Sequence, residues 1–111
     1  MDKLEQYRTA IKKILTDYAS VPIANGEIDS QLIFDTERDR YQVMSVGWNG
    51  HRRVHGCILH LDIINGKIWL QQNTTERQIA QELVAMGIPK EDIILGFQAP
   101  YVRQYTNFGV A

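Results

Sequence analysis

The sequence predicts an α+β domain: an N-terminal helix, a four- to five-stranded, mainly antiparallel meander sheet and a second helix, with the helices packed on one face. Three observations predict it. The chain opens on a helical repeat of apolar residues. Its middle is a series of aromatic and β-branched runs joined by Asn-Gly pairs. A second helical repeat then stops at a glycine. At 111 residues the chain is one domain, spanning 1–111.

Each element has its own warrant. In residues 2–19, Leu4, Tyr7, Ile11, Ile14, Leu15 and Tyr18 recur at three- and four-residue steps, with Lys12, Lys13 and Asp17 between them. Pro22 ends the helix, because Val21 before it is driven to extended geometry. Residues 24–27 are expected to be a loop around the Asn25-Gly26 turn pair. The first strand is expected over 31–35, with a polar connection over 36–40, and the second over 41–48. Asn49-Gly50 signals a hairpin into a third strand over 53–64, where Gly56 marks a bulge. Asn65-Gly66 signals another hairpin into a fourth strand over 67–72.

A two-residue turn at Asn65-Gly66 sets a register: Ile64 faces Lys67, Ile63 faces Ile68, Leu61 faces Leu70 and Leu59 faces Gln72. One side is then apolar and the other holds His60, Asp62, Trp69 and Gln71, as in a sheet buried on one face only. Thr75 and Gln78 have capping-box spacing for the second helix, whose stripe is Ile79, Leu83 and Val84 or Met86. Gly87 is its left-handed cap, backed by Ile88 and Pro89. Residues 93–97 are a fifth strand or buried extended segment, which Pro100 breaks. A tail over 101–111 carries Tyr101, Tyr105 and Phe108.

Composition excludes several functions. Twelve Lys and Arg against thirteen Asp and Glu leave a formal charge of −1, which argues against wrapping nucleic acid by bulk charge. The lone Cys57 excludes a disulfide scaffold and fits a reducing, cytoplasmic setting. No apolar run approaches the ~20 residues needed to span a membrane, and the first residues lack a signal peptide's apolar stretch. The glycines form no phosphate loop. His51, His55 and His60 lack the Cys or carboxylate spacing of a zinc site, so neither metal nor cofactor is expected.

Three groups of residues could carry function. Trp48, Arg53, Trp69, Tyr101, Arg103 and Tyr105 are the residue types that dominate protein interfaces. Arg38, Arg40, Arg52 and Arg53 could meet phosphates if neighbouring loops bring them together. His55, Cys57, His60 and Asp62 could form a small-molecule site or hydrolase centre if they converge in a pocket. Ordinary packing as a small hydrophobe is the simpler account of Cys57, and a solvated hairpin end the simpler account of the arginines. The aromatic tail either packs back on the sheet or joins an interface.

Along its whole length the chain resembles the XisI family, the fdxN element excision controlling factor proteins of cyanobacteria. The resemblance rests on Leu4-Glu5-Gln6-Tyr7-Arg8, Tyr18-Ala19, the segment 41–48, Arg52-Arg53-Val54-His55-Gly56-Cys57, the segment 67–76, Gly87-Ile88-Pro89-Lys90-Glu91-Asp92-Ile93 and Leu95-Gly96-Phe97. It implies an accessory role in excising a DNA element. The recombinase would be a separate protein and an XisH-like protein the partner, with any DNA contact indirect. It supplies no catalytic residue. A second copy of the chain is the other partner to expect.

Overall fold

A computed structural model describes residues 2–22 and 27–110. The expected Asn25-Gly26 turn lies outside them. Helix α1 spans Lys3–Ala19. Asp2 caps it, its Oδ1 accepting the Glu5 N–H at 2.9 Å, so a carboxylate meets the positive end of the helix. Tyr7, Ala10, Ile11, Ile14 and Leu15 form its buried stripe.

Five strands follow: β1 (Glu27–Asp35), β2 (Arg40–Asn49), β3 (Arg52–Ile64), β4 (Lys67–Asn73) and β5 (Ile93–Leu95). They lie in sequence order in one sheet. The first four pair antiparallel, and β5 runs parallel to β4 after helix α2 (Ile79–Ala85) and a single 3₁₀ turn. A four-residue helix, α3, occupies Pro100–Arg103. The predicted α+β architecture is the one observed. On one face Tyr41, Val43, Leu59, Leu61, Ile63, Ile68, Leu70 and Ile93 pack against α1, against Ile79 and Leu83 of α2, and against Ile88.

Several local expectations need correcting. β1 begins at Glu27 rather than at 31, because its first residues continue the ladder to Trp48. Gly47 permits that pairing: a Cβ there would sit 1.9 Å from the Glu27 carbonyl oxygen. The β2–β3 turn is Gly50-His51, with Asn49 and Arg52 already paired. Asn65 and Gly66 have φ of 53° and 77°, as a two-residue hairpin of this hand requires.

Gly56 is not the bulge, since it pairs regularly with Ser45. The extra residue in β3 is Ile58, between Cys57 opposite Met44 and Leu59 opposite Val43. Two consecutive apolar side chains, Ile58 and Leu59, both reach the core, which a regular strand forbids. In β4 the extra residue is Gln71, so Leu59 faces Asn73 and His60 faces Gln72.

The capping box is absent as well. Gln78 precedes α2 with no side-chain cap. Asn73 organises the approach instead. Its Oδ1 accepts from the Thr75 N–H at 2.9 Å and the Thr75 hydroxyl at 2.6 Å, and its Nδ2 donates to the Arg77 carbonyl at 2.8 Å. These bonds hold the chain in turns and delay the helix. Gly87 does close α2 in the left-handed region, with Ile88 N–H on Leu83 O at 3.2 Å and Gly87 N–H on Val84 O at 3.0 Å.

Long-range polar contacts tie the first turns of α1 to one end of the sheet, at the β1–β2 turn and just before β5. Arg8 grips Asp39 with two bonds, at 2.7 and 3.2 Å, and Tyr41 donates to the same carboxylate at 2.9 Å. The Arg8 guanidinium holds the Asp39 carboxyl below its usual range. Burial, then that carboxylate, pushes the Tyr41 phenol up to about 12. Tyr7 and Lys3 both bind Asp92, the last residue of the 3₁₀ turn Lys90–Asp92. Burial alone would raise the Asp92 carboxyl, but Lys3 and Tyr7 bring it below its usual value.

Candidate functional site

With both longer helices on one side, the other side of β1–β3 carries no helix layer. Side chains on this open face follow from the ladder. One row across the sheet is Glu27, Trp48 and Arg53; the next is Asp29, Val46 and His55. Then come Gln31, Met44 and Cys57, followed by Ile33, Gln42, His60 and Gln72. The last is Asp35, Arg40, Asp62, Trp69 and Ile94. Trp48 and Ile33 are 49% and 48% exposed.

Two arginine–tryptophan stacks stand at opposite ends. The Arg53 guanidinium lies 5.3 Å from the Trp48 ring centre and donates to the Gly47 carbonyl at 3.3 Å. The Arg103 guanidinium lies 5.0 Å from the Trp69 ring, and donates to Gln98 O at 3.1 Å and Gly96 O at 3.4 Å. Each stack covers one ring face with a cation and fixes the side chain. Arg103 reaches Trp69 because the tail folds back along β5: Gly109 N–H donates to Ile93 O at 2.8 Å and Lys67 Nζ to Val110 O at 3.2 Å. Ile94 is buried under it, and Phe108 packs on the core's margin.

The tail therefore divides its aromatics. Pro100 starts a short helix instead of ending order, at the first-turn position that lacks an N–H requirement. Tyr101 and Tyr105 point outward, 75% and 81% exposed, while Phe108 turns in. Tyr101 and Tyr105 flank Arg103 in the chain, so the outward tyrosines lie on the segment that Arg103 ties to Trp69. Trp48 and Arg53 lie at the far end of the face.

The arginine group is not one cluster, which corrects the expected neighbouring loops. Arg38 and Arg40 sit at the β1–β2 end of the sheet and Arg52 and Arg53 at the β2–β3 end. The nine residue steps of β2 hold these ends about 30 Å apart. Arg38 is also bound to Asp35 at 3.0 Å.

The bulge at Ile58 brings His55, Cys57, His60 and Asp62 to one face, where a regular strand would have split them. They are strung along β3 in successive rows rather than gathered. His60 Nε2 lies 2.8 Å from Asp62 Oδ1, and Gln71 Nε2 donates to Asp62 Oδ2 at 3.2 Å, so the buried carboxylate is satisfied by its neighbours. Burial pushes the Cys57 thiol up, against a smaller lowering by its bond to the Leu59 carbonyl, opposite to what a nucleophile needs. The clefts beside α1, and those between α2 and the tail, are lined by other residues. Among the described residues no group of three or more His, Cys, Asp or Glu side chains is placed to hold a metal, and no helix is long and apolar enough to cross a membrane.

These features define an α+β fold whose sheet is packed on one side and displays arginine-stacked tryptophans on the other. The XisI protein profile matches residues 1–110, and the chain belongs to the XisI family. Two solved structures, both from Anabaena variabilis ATCC 29413, are similar throughout. An XisI-like protein is 55% identical with a TM-score of 0.91, covering 99% of this chain and 100% of its own. The fdxN element excision controlling factor XisI is 41% identical with a TM-score of 0.85, at the same coverage. No curated protein matches the sequence.

Proposed function

We propose that this chain is an accessory factor that controls excision of a DNA element, acting through contact with an XisH-like protein and leaving strand exchange to a separate recombinase. Support for the excision role comes from the family and from the 41% identical neighbour that bears the name of an excision controlling factor. The observation that carries the contact reading is the outward pair Tyr101 and Tyr105, on the segment that the Arg103–Trp69 stack anchors. Large aromatic rings on a fixed segment lose little side-chain entropy on binding, and Tyr, Trp and Arg anchor interfaces.

The test is co-purification with the XisH-like protein of the same genome, followed by sizing and DNA binding of each form. A stable complex is expected, weakened about tenfold or more by Tyr101→Ala or Tyr105→Ala while the isolated fold is unchanged. No complex, together with steeply salt-dependent DNA binding by this chain alone, would overturn the reading in favour of phosphate contacts by Arg52 and Arg53.

A further inference from the structure

The open face has a charge pattern that fits its own copy. On β1 it carries Glu27 and Asp29, with Asp35 already bound to Arg38; on β3 it carries Arg53, His55 and His60, with Asp62 already bound to His60. Between them β2 contributes Trp48, Val46, Met44, Gln42 and Arg40. An acidic strip and a strip of Arg53 and two imidazoles thus flank a largely apolar one, each a single strand spacing away.

We propose that this face is the interface of a homodimer whose two-fold axis runs along β2. Rotation about that axis lays β1 of one subunit over β3 of the other and keeps each row opposite itself. Glu27 meets Arg53 of the partner subunit, and Asp29 meets His55 of the partner subunit. Val46 and Met44 meet their own copies on the axis, with Ile33 beside them. In the last row Arg40 meets its copy and Asp35 meets Asp62 of the partner subunit, with Arg38 already bound to the one carboxylate and His60 to the other. Face-to-face sheets keep their strands within about 30° of each other, so pairs this close to the axis remain opposite.

The β1–β3 face that this rotation brings into contact measures about 430 Å² per subunit in flat projection from strand spacing and rise, the size of a weak interface that forms with concentration.

The experiment is sedimentation velocity and equilibrium on the full chain between about 1 and 100 µM, the range where a modest dimer dissociates. The native chain is expected to dimerise. Glu27→Arg and Arg53→Glu are each expected to raise the dissociation constant about tenfold or more, because each like-charge contact occurs twice in a two-fold interface. The double variant Glu27→Arg with Arg53→Glu exchanges the signs and is expected to recover affinity to within about threefold. Val46→Glu, on the open face, is expected to give a folded monomer by circular dichroism. A native chain that stays monomeric at the top of this range overturns the proposal, including where an XisH-like protein instead occupies β1–β3. A dimer indifferent to Glu27→Arg and Val46→Glu overturns it equally.

Discussion

The two faces of the β2–β3 ladder share one backbone but face different environments. Tyr41, Val43, Leu59 and Leu61 point toward the helices and are 0–1% exposed. Their neighbours Gln42, Met44, Cys57 and His60 point the other way and are only half-buried. The packed face settles stability, because Tyr41, Val43, Leu59 and Leu61 have lost water to apolar partners. The open face is held by small polar devices: the His60–Asp62–Gln71 bonds and the two arginine–tryptophan stacks. Such devices fix side-chain direction at little cost in energy, which suits a surface that meets other molecules.

That contrast is broken most forcefully on the packed side. Leu59→Ala or Leu61→Ala should cost about 2–5 kcal/mol in chemical denaturation, through lost burial and the cavity left behind. Met44→Ala on the open face should cost under about 1 kcal/mol at concentrations where the chain is a monomer. Equal costs would show that the open face is covered within the monomer.

Gly47→Ala comes next. Its Cβ would meet the Glu27 carbonyl oxygen, so β1 must shift at its first residues. A loss of about 1–3 kcal/mol is expected, with faster amide exchange confined to the start of β1 and its partners on β2. Gly50→Ala has open space around it but carries φ of +62°, so its cost should come from backbone strain alone, about 1 kcal/mol.

The ion pair that ties α1 to the sheet predicts a pH effect. The Asp39 carboxyl is held low by Arg8, so it stabilises the fold above its unfolded value and loses that contribution as pH falls through the lower folded value. Asp39→Asn should therefore be less stable than the native chain near neutrality. The difference should shrink on acidification below about pH 4. Denaturation midpoints across that range check both statements; a constant difference would refute the assignment.

The smallest effect belongs to the Trp69 stack. Arg103→Ala should cost about 0.5–1 kcal/mol of stability, yet loosen the tail measurably by amide exchange over 96–110. If exchange there is unchanged, Gly109 and Phe108 hold the tail unaided.

Much of the packed side was legible in the sequence, because helical and alternating spacing report burial directly. Leu4 to Tyr18, the Asn65-Gly66 turn and the Gly87 cap all behave as their spacing says. Ile58 did not announce its bulge: an extra apolar residue inside an apolar run leaves the composition unaltered. Asn73 displaced the Thr75 cap because a local side-chain bond competes with helix initiation, and either outcome suits the same residues. The separation of Arg38 and Arg40 from Arg52 and Arg53 was available from the length of the second strand alone. Pairs such as Arg8 with Asp39, 31 positions apart, had no local signal. On the open face residue types were legible but their grouping was not, since it depends on the bulges and on how the tail returns.

The central claim is that this chain works by contact through its tail-side aromatic patch. Amide hydrogen exchange of the chain, alone and mixed with the XisH-like protein of its genome, tests it most directly. The account predicts new protection over 96–105, around Tyr101, Arg103 and Tyr105, with the helix-packed strands unchanged. Exchange that stays the same over that segment while a complex forms would place the contact elsewhere and contradict the account.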